Sequence, residues 1–284
     1  MGMGAADVVP GVSGGTIAFI TQIYEELVNS IKSINTHAVK QLFNRGPGTF
    51  WRTINGNFLA AVFLGILISV FSLARLLEHL LHQAPILVWS FFFGLIVASA
   101  LYIAGKIKHW QMSKVLALIA GVGIAYAITI LTPAQTPEAY WFIFLSGALA
   151  ICAMILPGIS GAFILLLLGK YQFVIEAVGN LNVTVLLVLA AGALVGIISF
   201  SNLLSWFLRK YHDLTIAVLA GFMVGSLNKV WPWKQTTETF TDRHGEVQPL
   251  VQKNVLPADF AEYSGDPMLV KALLLALIGF VLIF

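Results

Sequence analysis

Long apolar segments constrain the fold of this chain more than any other feature. An α-helix needs about 20 mostly apolar residues to cross a lipid bilayer, and seven stretches approach or exceed that length with at most one charged residue each. Of the 284 residues, 58% are hydrophobic and 10% are charged, whereas soluble domains carry about 25% charged residues. The sequence therefore predicts an all-α, polytopic membrane protein, with spans at 57–77, 86–105, 114–131, 139–156, 183–208, 214–230 and 268–284.

Two further apolar segments, 6–27 and 157–178, are interrupted by Pro, Gly and Ser. Residues 6–20 read ADVVPGVSGGTIAFI, and residues 154–168 read MILPGISGAFILLLL. Proline removes a backbone donor and disfavours helix in the residue before it. Non-helical backbone at membrane depth is tolerated only where protein or a water-filled cavity surrounds it. Each PGxSG motif is therefore predicted to be the turn of a broken or re-entrant helical hairpin.

The two motifs mark an internal duplication. An offset of 147 residues aligns Pro10 with Pro157, Gly11 with Gly158, Ser13 with Ser160, Gly14 with Gly161 and Tyr24 with Tyr171. Downstream, an offset of 127 residues aligns Gly65 with Gly192, Ser72 with Ser199, Gly94 with Gly221 and Ser99 with Ser226. Such an ordered series of Pro, Gly and Ser matches indicates two structural repeats. We assign residues 1–132 to the first and 139–284 to the second, each with a motif hairpin and three spans.

The charges of the loops predict that the two repeats are inverted in the membrane. Lys and Arg concentrate in short cytoplasmic loops, and here they lie in loops 32–56 and 105–114 and directly after residue 208, at Arg209 and Lys210. The span 183–208 then runs inward, whereas its counterpart 57–77 runs outward. Loop 231–267 carries more acidic than basic residues and is expected outside. Since the chain begins close to Pro10, the leading arm of the first hairpin is expected to be short.

This arrangement predicts an anion site. A helix N-terminus offers free N–H groups and about half a positive charge, so it can hold an anion without a cationic side chain. Inverted repeats with broken helices place substrate sites near the bilayer midplane. Ser13 and Ser160 are placed to cap the helices that follow the two breaks. The alternative is that the PGxSG motif binds no anion and serves only as a tight turn with close helix packing.

Three ionisable side chains are further candidates, because charges within spans are costly and often functional. Arg75 and Glu78 lie at i and i+3 near the outer end of span 57–77. Arg75 could bind a phosphate, since its guanidinium suits bidentate contact, while Glu78 pairs with it or couples protons. Asp7 precedes the first break, where it would either carry a coupling proton or cap local backbone. Lys170 follows a motif helix near the outer interface, where it either attracts phosphate or extends its charge to the interface. The stretch KVWPWK (Lys229–Lys234) reads as interfacial, with its tryptophans as anchors.

Other classes of function find little support. Cys152 is the only cysteine, which leaves no cysteine cluster for a metal, and no metal site or cofactor is expected. The net charge of +3 lies in short loops, so it reports topology and not nucleic-acid binding. The G-x-S-G string occurs at the serine of intramembrane proteases. That chemistry needs a histidine base in reach, whereas the histidines here lie at or near loops and span ends, so no enzyme is predicted.

Four stretches carry a family resemblance: GAADVVPGVSGGTIAFI, ILPGISGAFILLLLGKY, SFSNLLSWFLRKYH and GFMVGSLNKVWPWK. They resemble the bacterial and archaeal polyprenyl-phosphate transporter family, long catalogued as a membrane domain of unknown function, over essentially the whole chain. The resemblance implies a flippase of the plasma (inner) membrane that returns undecaprenyl phosphate from the outer to the inner leaflet for reuse in cell-envelope (cell-wall) synthesis. The lipid tail comes from this resemblance alone, because periodicity indicates only an anion-binding transporter.

The sequence and the resemblance together predict a carrier whose two hairpins frame one phosphate. The predicted ligands are Ser13, Gly14, Gly15 and Thr16 on one side, Ser160 and Gly161 on the other, and the cation of Arg75. Asp7 or Glu78 would couple transport to protons; proton or sodium coupling and the oligomeric state are left open. The alternatives are a passive anion channel or another anionic-substrate transporter that uses the same helix N-termini, and a membrane scaffold for envelope synthesis.

Overall fold

The computed structural model describes residues 1–8, 12–134, 136–241 and 247–284, which form fifteen helices and one two-stranded hairpin. The helices of the first half are α1 (Gly2–Val8), α2 (Gly14–Ile20), α3 (Tyr24–Lys32), α4 (Thr36–Arg45), α5 (Pro47–Thr53), α6 (Gly56–Gln83), α7 (Pro85–Gly105) and α8 (Met112–Ile130). The second half contains α9 (Tyr140–Ile155), α10 (Gly161–Leu167), α11 (Tyr171–Gly179), α12 (Val183–Lys210), α13 (His212–Val230), β1 (Lys234–Thr241), β2 (Val247–Asn254), α14 (Pro257–Ser264) and α15 (Leu269–Val281). The predicted all-α membrane fold is confirmed.

Five helices in the described residues are long and apolar enough to cross a membrane, namely α6, α7, α8, α12 and α13. Helices α10 and α11 bend by 108° at a short break and would count as a sixth span if taken together. The predicted spans at 139–156 and 268–284 are α9 and α15, which are only 16 and 13 residues long. At 1.5 Å per residue, neither helix covers the roughly 30 Å of hydrocarbon. The expectation of a full span at 268–284 was therefore wrong, whereas 139–156 precedes the second PGxSG motif and was expected to be an arm of its hairpin.

Glycines let the long helices approach closely at positions that the predicted duplication pairs. Helix α7 packs against α15, and α13 packs against α8. A methyl group at Gly94 of α7 would collide with the carbonyl oxygen of Ala276, and one at Gly221 of α13 with that of Leu118. Small residues allow this closeness between membrane helices. The paired glycines therefore play the same packing role in each half.

The short helices after the two motifs end in the same way. Gln22 and Gly169 both adopt a left-handed conformation with φ of 62°. The N–H of Ile23 bonds the Ala18 carbonyl at 3.0 Å, and the N–H of Lys170 bonds the Leu165 carbonyl at 2.8 Å. This is the six-residue hydrogen bond of a Schellman motif. The match is what a duplication predicts; the repeat boundaries and their inverted orientation remain predictions.

Loop 231–267 folds into the hairpin β1–β2 and helix α14. The indole of Trp233 is buried and donates to the Pro267 carbonyl at 2.9 Å, while that of Trp231 donates to the Val255 carbonyl at 2.9 Å. Trp233 packs with Ile86 and Ala272, which fastens the loop onto α7 and α15. Trp233 is therefore not the interfacial anchor that the sequence suggested, because its ring and its N–H are both used inside the protein.

Candidate functional site

The described end of the first motif, Ser13–Thr16, meets the turn of the second motif in the interior. The hydroxyl of Ser13 is fully buried and lies 3.0 and 3.1 Å from the carbonyl oxygens of Met154 and Leu156, to which it donates. In return, the backbone N–H of Gly158 donates to the Thr16 hydroxyl at 3.1 Å. Each hairpin thus donates hydrogen bonds to the other. We call this set of three hydrogen bonds the hairpin junction.

Close approach of backbone at the junction depends on glycine. A methyl group at Gly15 would collide with the Ile155 carbonyl oxygen. Gly158 has φ of +86°, and a methyl there would lie 2.7 Å from the Ser226 hydroxyl oxygen. Glycine alone adopts such a conformation at no steric cost. Gly15 is therefore explained by the contact between the two motifs, and Gly158 by its backbone conformation and its packing against α13.

The start of helix α2 is capped by two side chains. Ser13 has extended backbone, and its hydroxyl accepts from the Gly15 N–H at 3.1 Å, which confirms the predicted cap. The Asp7 carboxylate reaches back from α1 and accepts from the Gly14 N–H at 2.7 Å. Its second oxygen is buried without a hydrogen-bond partner among the described residues. Asp7 therefore caps local backbone, and its carboxylate keeps one oxygen free for a further partner.

The second motif is not a copy of this cap. Ser160 occupies the N-cap position of α10 with extended backbone, but its side chain makes no capping hydrogen bond. The expectation that Ser160 caps its helix was therefore wrong, because a sequence pattern sets the position of the serine and not the direction of its hydroxyl. Gly161 packs against the Ala150 carbonyl, where a methyl would lie at 2.7 Å. The first turn of α10 is thus left without a side-chain cap.

Other predicted site residues are placed as follows. Arg75 and Glu78 belong to helix α6, but their side chains lie outside the described part of the structure. Pro10 and Gly11 also fall in an undescribed stretch, 9–11. Lys170 is buried, and its ammonium donates to the Thr136 carbonyl at 2.8 Å. This hydrogen bond holds the loop before α9 in place.

A cluster of lysines next to a cavity was missed by sequence reasoning as a site. Lys229 and Lys234 are half-buried, and Lys234 donates from its ammonium to the Lys229 carbonyl at 2.6 Å. Both line a cavity of about 480 Å³ at the ends of α8 and α13. In the sequence the two lysines flank a pair of tryptophans at the end of a span, which is also the pattern of interfacial residues. The cavity-lining role differs from an interfacial role only because loop 231–267 folds over these ends of α8 and α13.

The residue chemistry at the junction matches binding and not catalysis. The partners of Ser13 are backbone groups, and His212, at the far end of α13, bonds Glu25 at 3.0 Å. No group of three His, Cys, Asp or Glu side chains that could hold a metal occurs within the described ranges. The groups that the junction brings together are two hydroxyls, one backbone N–H and two carbonyl oxygens.

The five membrane-length helices of the described residues, with the bent pair α10 and α11, define a multi-pass membrane protein. The chain belongs to the family described as VCA0040-like, undecaprenyl phosphate translocase-like, which matches residues 3–248. This is a family of transporters and not of enzymes.

Two curated relatives carry the name polyprenyl-phosphate transporter. One, from Vibrio cholerae, is 47% identical over 99% of this chain and 92% of its own length. The other, from Staphylococcus aureus, is 34% identical over 81% of this chain and 83% of its own length. No solved structure matches the chain significantly.

Proposed function

We propose that this protein transports undecaprenyl phosphate, or a closely similar polyprenyl phosphate, across the membrane as a flippase. The direction proposed is from the outer to the inner leaflet, where the carrier lipid is reused in cell-wall synthesis. The family membership and the names of the two relatives support the lipid class. The observation that carries the mechanism is the hairpin junction, at which the Ser13 and Thr16 hydroxyls and the Gly158 N–H meet in the interior.

The physical problem of such transport is the headgroup. A phosphomonoester carries a charge of about −1.5 to −2 at neutral pH, and an ion is strongly disfavoured in hydrocarbon. The polyprenyl tail is apolar and can stay in the bilayer during the movement. A carrier therefore needs to shield only the phosphate, with helix N-termini, hydroxyls and a cation.

The site proposed is the junction in an opened state. In the structure the Ser13 and Thr16 hydroxyls are already bonded to the opposite turn. We therefore propose that the phosphate displaces these contacts, so that Ser13, Gly14, Gly15 and Thr16 bind it from one hairpin and Ser160 and Gly161 from the other. Arg75 would supply a positive charge, and Asp7 or Glu78 would couple the movement to protons.

Inverted repeats give this opening a structural basis. Two hairpins that enter from opposite faces can part toward either side while the site stays near the midplane. The matched Schellman ends at Gln22 and Gly169 and the matched glycines Gly94 and Gly221 support the duplication. The proposed carrier thus alternates between an outward-open and an inward-open junction.

The test in cells measures the fraction of undecaprenyl phosphate that an impermeant phosphatase can reach at the outer surface. Cells that lack this transporter and its functional substitutes should show a raised fraction, which the wild-type chain lowers. The double variant Ser13→Ala, Ser160→Ala should fail to lower it. Ser90→Ala is the matched control, since Ser90 is equally buried but bonds only the Ile86 carbonyl within α7. Full rescue by the double variant would reject the site.

A further inference from the structure

The cavity at the ends of α8 and α13 has walls of two kinds. One wall is polar and basic, formed by side chains from α13 and from the base of the β-hairpin. The other is apolar, formed by Ile130 and Leu131 at the end of α8 and by Phe163, Leu166 and Leu167 of α10. By the predicted topology this end faces the outer leaflet. The volume of about 480 Å³ suits a small headgroup with the first part of a hydrocarbon chain.

Among the described residues, no carboxylate forms an ion pair with a lysine of the cavity. Lys229, Lys234 and Lys253 line it, while the ion pairs among the described residues involve Lys114 and His212 instead. Lys229 stands 4.4 Å over the ring of Phe163, and Lys234 stands 4.0 Å over the ring of Trp89. Cation–π contacts attract an ammonium but do not cancel its charge. The cavity is therefore a basic pocket that favours an anion.

The donors of the pocket are also held in place. The Asn254 amide donates to the Asn228 carbonyl at 2.7 Å and to its side-chain oxygen at 2.8 Å, and the Asn228 amide donates to Thr129 at 2.8 Å. The Lys234 ammonium has three N–H donors, of which one is used by the Lys229 carbonyl. A bound phosphate would accept from the remaining donors without rearrangement of the backbone.

The pKa of Lys234 agrees with a role in binding an anion. Burial, followed by the charge of neighbouring Lys229, lowers the pKa of Lys234 from 10.5 to about 7. A bound phosphate dianion would favour the charged form of the same lysine. The groups that face Lys234 are Lys229 of α13, Trp89 of α7 and, across the strand pair, Asn254 with Lys253 beside it.

We propose that this basic pocket is a docking site for the phosphomonoester headgroup of a prenyl lipid in the outer leaflet, before the headgroup moves to the hairpin junction. The inference rests on the proposed transport function. Phe163, which Lys229 contacts, is three residues from Ser160, about 4.5 Å along the axis of α10. The apolar wall selects a phosphate joined to hydrocarbon over free phosphate.

The experiment measures equilibrium binding of farnesyl phosphate to the purified full-length protein in detergent, by calorimetry. Inorganic phosphate and farnesol are the other two ligands, and each tests one half of the pocket. The variants are Lys229→Met and Lys234→Met, with Lys234→Arg to retain the charge. Lys106→Met is the matched control, because Lys106 also stands over an aromatic ring, that of Tyr102 at 4.7 Å, but does not line the pocket.

Each lysine-to-methionine change in the pocket should weaken farnesyl phosphate binding about tenfold, since a charge-assisted hydrogen bond is lost. Lys106→Met and Lys234→Arg should bind within about threefold of wild type, and farnesol should bind far more weakly. Unchanged binding by both methionine variants, or an equal loss in Lys106→Met, would overturn the proposal. Equal affinity for inorganic phosphate would overturn the assignment to a lipid.

Failure of this proposal is distinguishable from failure of the transport function. If binding depends on the two lysines while no lipid moves in a transport assay, the docking site stands and the flippase is rejected. If lipid moves at the wild-type rate in Lys229→Met and Lys234→Met with unchanged binding, the docking site is rejected and the flippase stands.

Discussion

At the scale of single residues, the motif serine links local structure to the candidate site. Ser13 caps α2 and at the same time bonds the opposite turn, so one hydroxyl joins helix formation to the contact between hairpins. The cap was predictable from sequence, because Ser before Gly-Gly at a helix start is a strong local signal. Its bond to Met154 was not, because no local pattern specifies a partner 141 residues away.

Ser13→Ala should lower the stability of the protein by about 1–3 kcal/mol, because it leaves buried backbone groups without a partner. The measurement is the Tm of the purified variant in detergent, read by loss of monodisperse protein on heating. Ser72→Ala is the control: Ser72 is exposed and bonds the Ile68 carbonyl in its own helix. Equal Tm values for wild type and Ser13→Ala would show that the junction does not stabilise this conformation.

Asp7→Asn tests proton coupling at the junction. The amide oxygen of Asn can still accept from the Gly14 N–H, so the cap and the fold should persist. If Asp7 carries the coupling proton, the variant should transport at a rate that no longer responds to a pH gradient. A rate that still responds as in wild type would remove Asp7 from the coupling and leave Glu78 as the remaining candidate.

At the scale of elements, helix packing follows closely spaced glycines. In α8, a methyl at Gly121 would collide with the Val218 carbonyl of α13, whereas at Gly123 nothing lies within 4 Å. Gly121→Ala should therefore lower stability by about 1–3 kcal/mol through overpacking. Gly123→Ala should keep or slightly raise it, because Ala favours helix over Gly. Comparable Tm values for the two variants would contradict the packing of α8 on α13.

Burial of Lys234 lowers the stability of the folded protein by an amount that varies with pH. The pKa of Lys234 is lowered in the folded state to about 7, so the folded protein binds a proton less readily than the unfolded chain. As pH falls from 10.5 to 7 the unfolded state gains this proton first, and stability decreases; below 7 the cost is constant. Lys234→Met should therefore raise the Tm, by about 2–4 °C for each kcal/mol recovered.

This gain should be largest at or below pH 7 and should shrink as the pH rises toward 10.5. Thermal unfolding of both proteins in detergent across that range measures it, with Lys106→Met as the control that stays near wild type. A Tm difference that grows with pH would have the wrong sign and would reject the lowered pKa. The same substitution weakens the proposed binding, so stability and ligand affinity should move in opposite directions.

Elements were predictable from the sequence to different degrees. The five membrane-length helices were located correctly because an apolar run of that length has few alternative structures. The hairpin β1–β2 was not predicted, since its polar strand Lys234–Thr241 lacks a buried face that would set a period of two. The bend after α2 was missed because Gln22 takes a left-handed conformation that usually falls to Gly or Asn.

At the scale of the whole molecule, the two halves are interlocked. Helix α7 of the first half packs on α15 of the second, and α13 of the second packs on α8 of the first. The hairpin junction makes a further contact between the halves at their centre. Movement of one half relative to the other must therefore change the junction, which is the property that a carrier with a central site needs.

The repeat made this interlocking partly foreseeable. The offsets of 147 and 127 residues, which are visible in the sequence alone, pair the motif turns and the packing glycines. They do not indicate that α7 and α8 pack on helices of the other half, because contacts between repeats depend on how two complete units dock. For the same reason the basic pocket, built from α8, α10, α13 and the β-hairpin, has no signature in sequence order.

The most direct test of the central claim is leaflet-resolved transport in proteoliposomes. Purified protein is reconstituted with labelled undecaprenyl phosphate, and the fraction exposed to an external phosphatase is followed in time, with and without an imposed proton gradient. We predict protein-dependent movement that is lost in the Ser13→Ala, Ser160→Ala variant and retained in Ser90→Ala. Folded wild-type protein that moves no lipid under any gradient would contradict the proposed transport function.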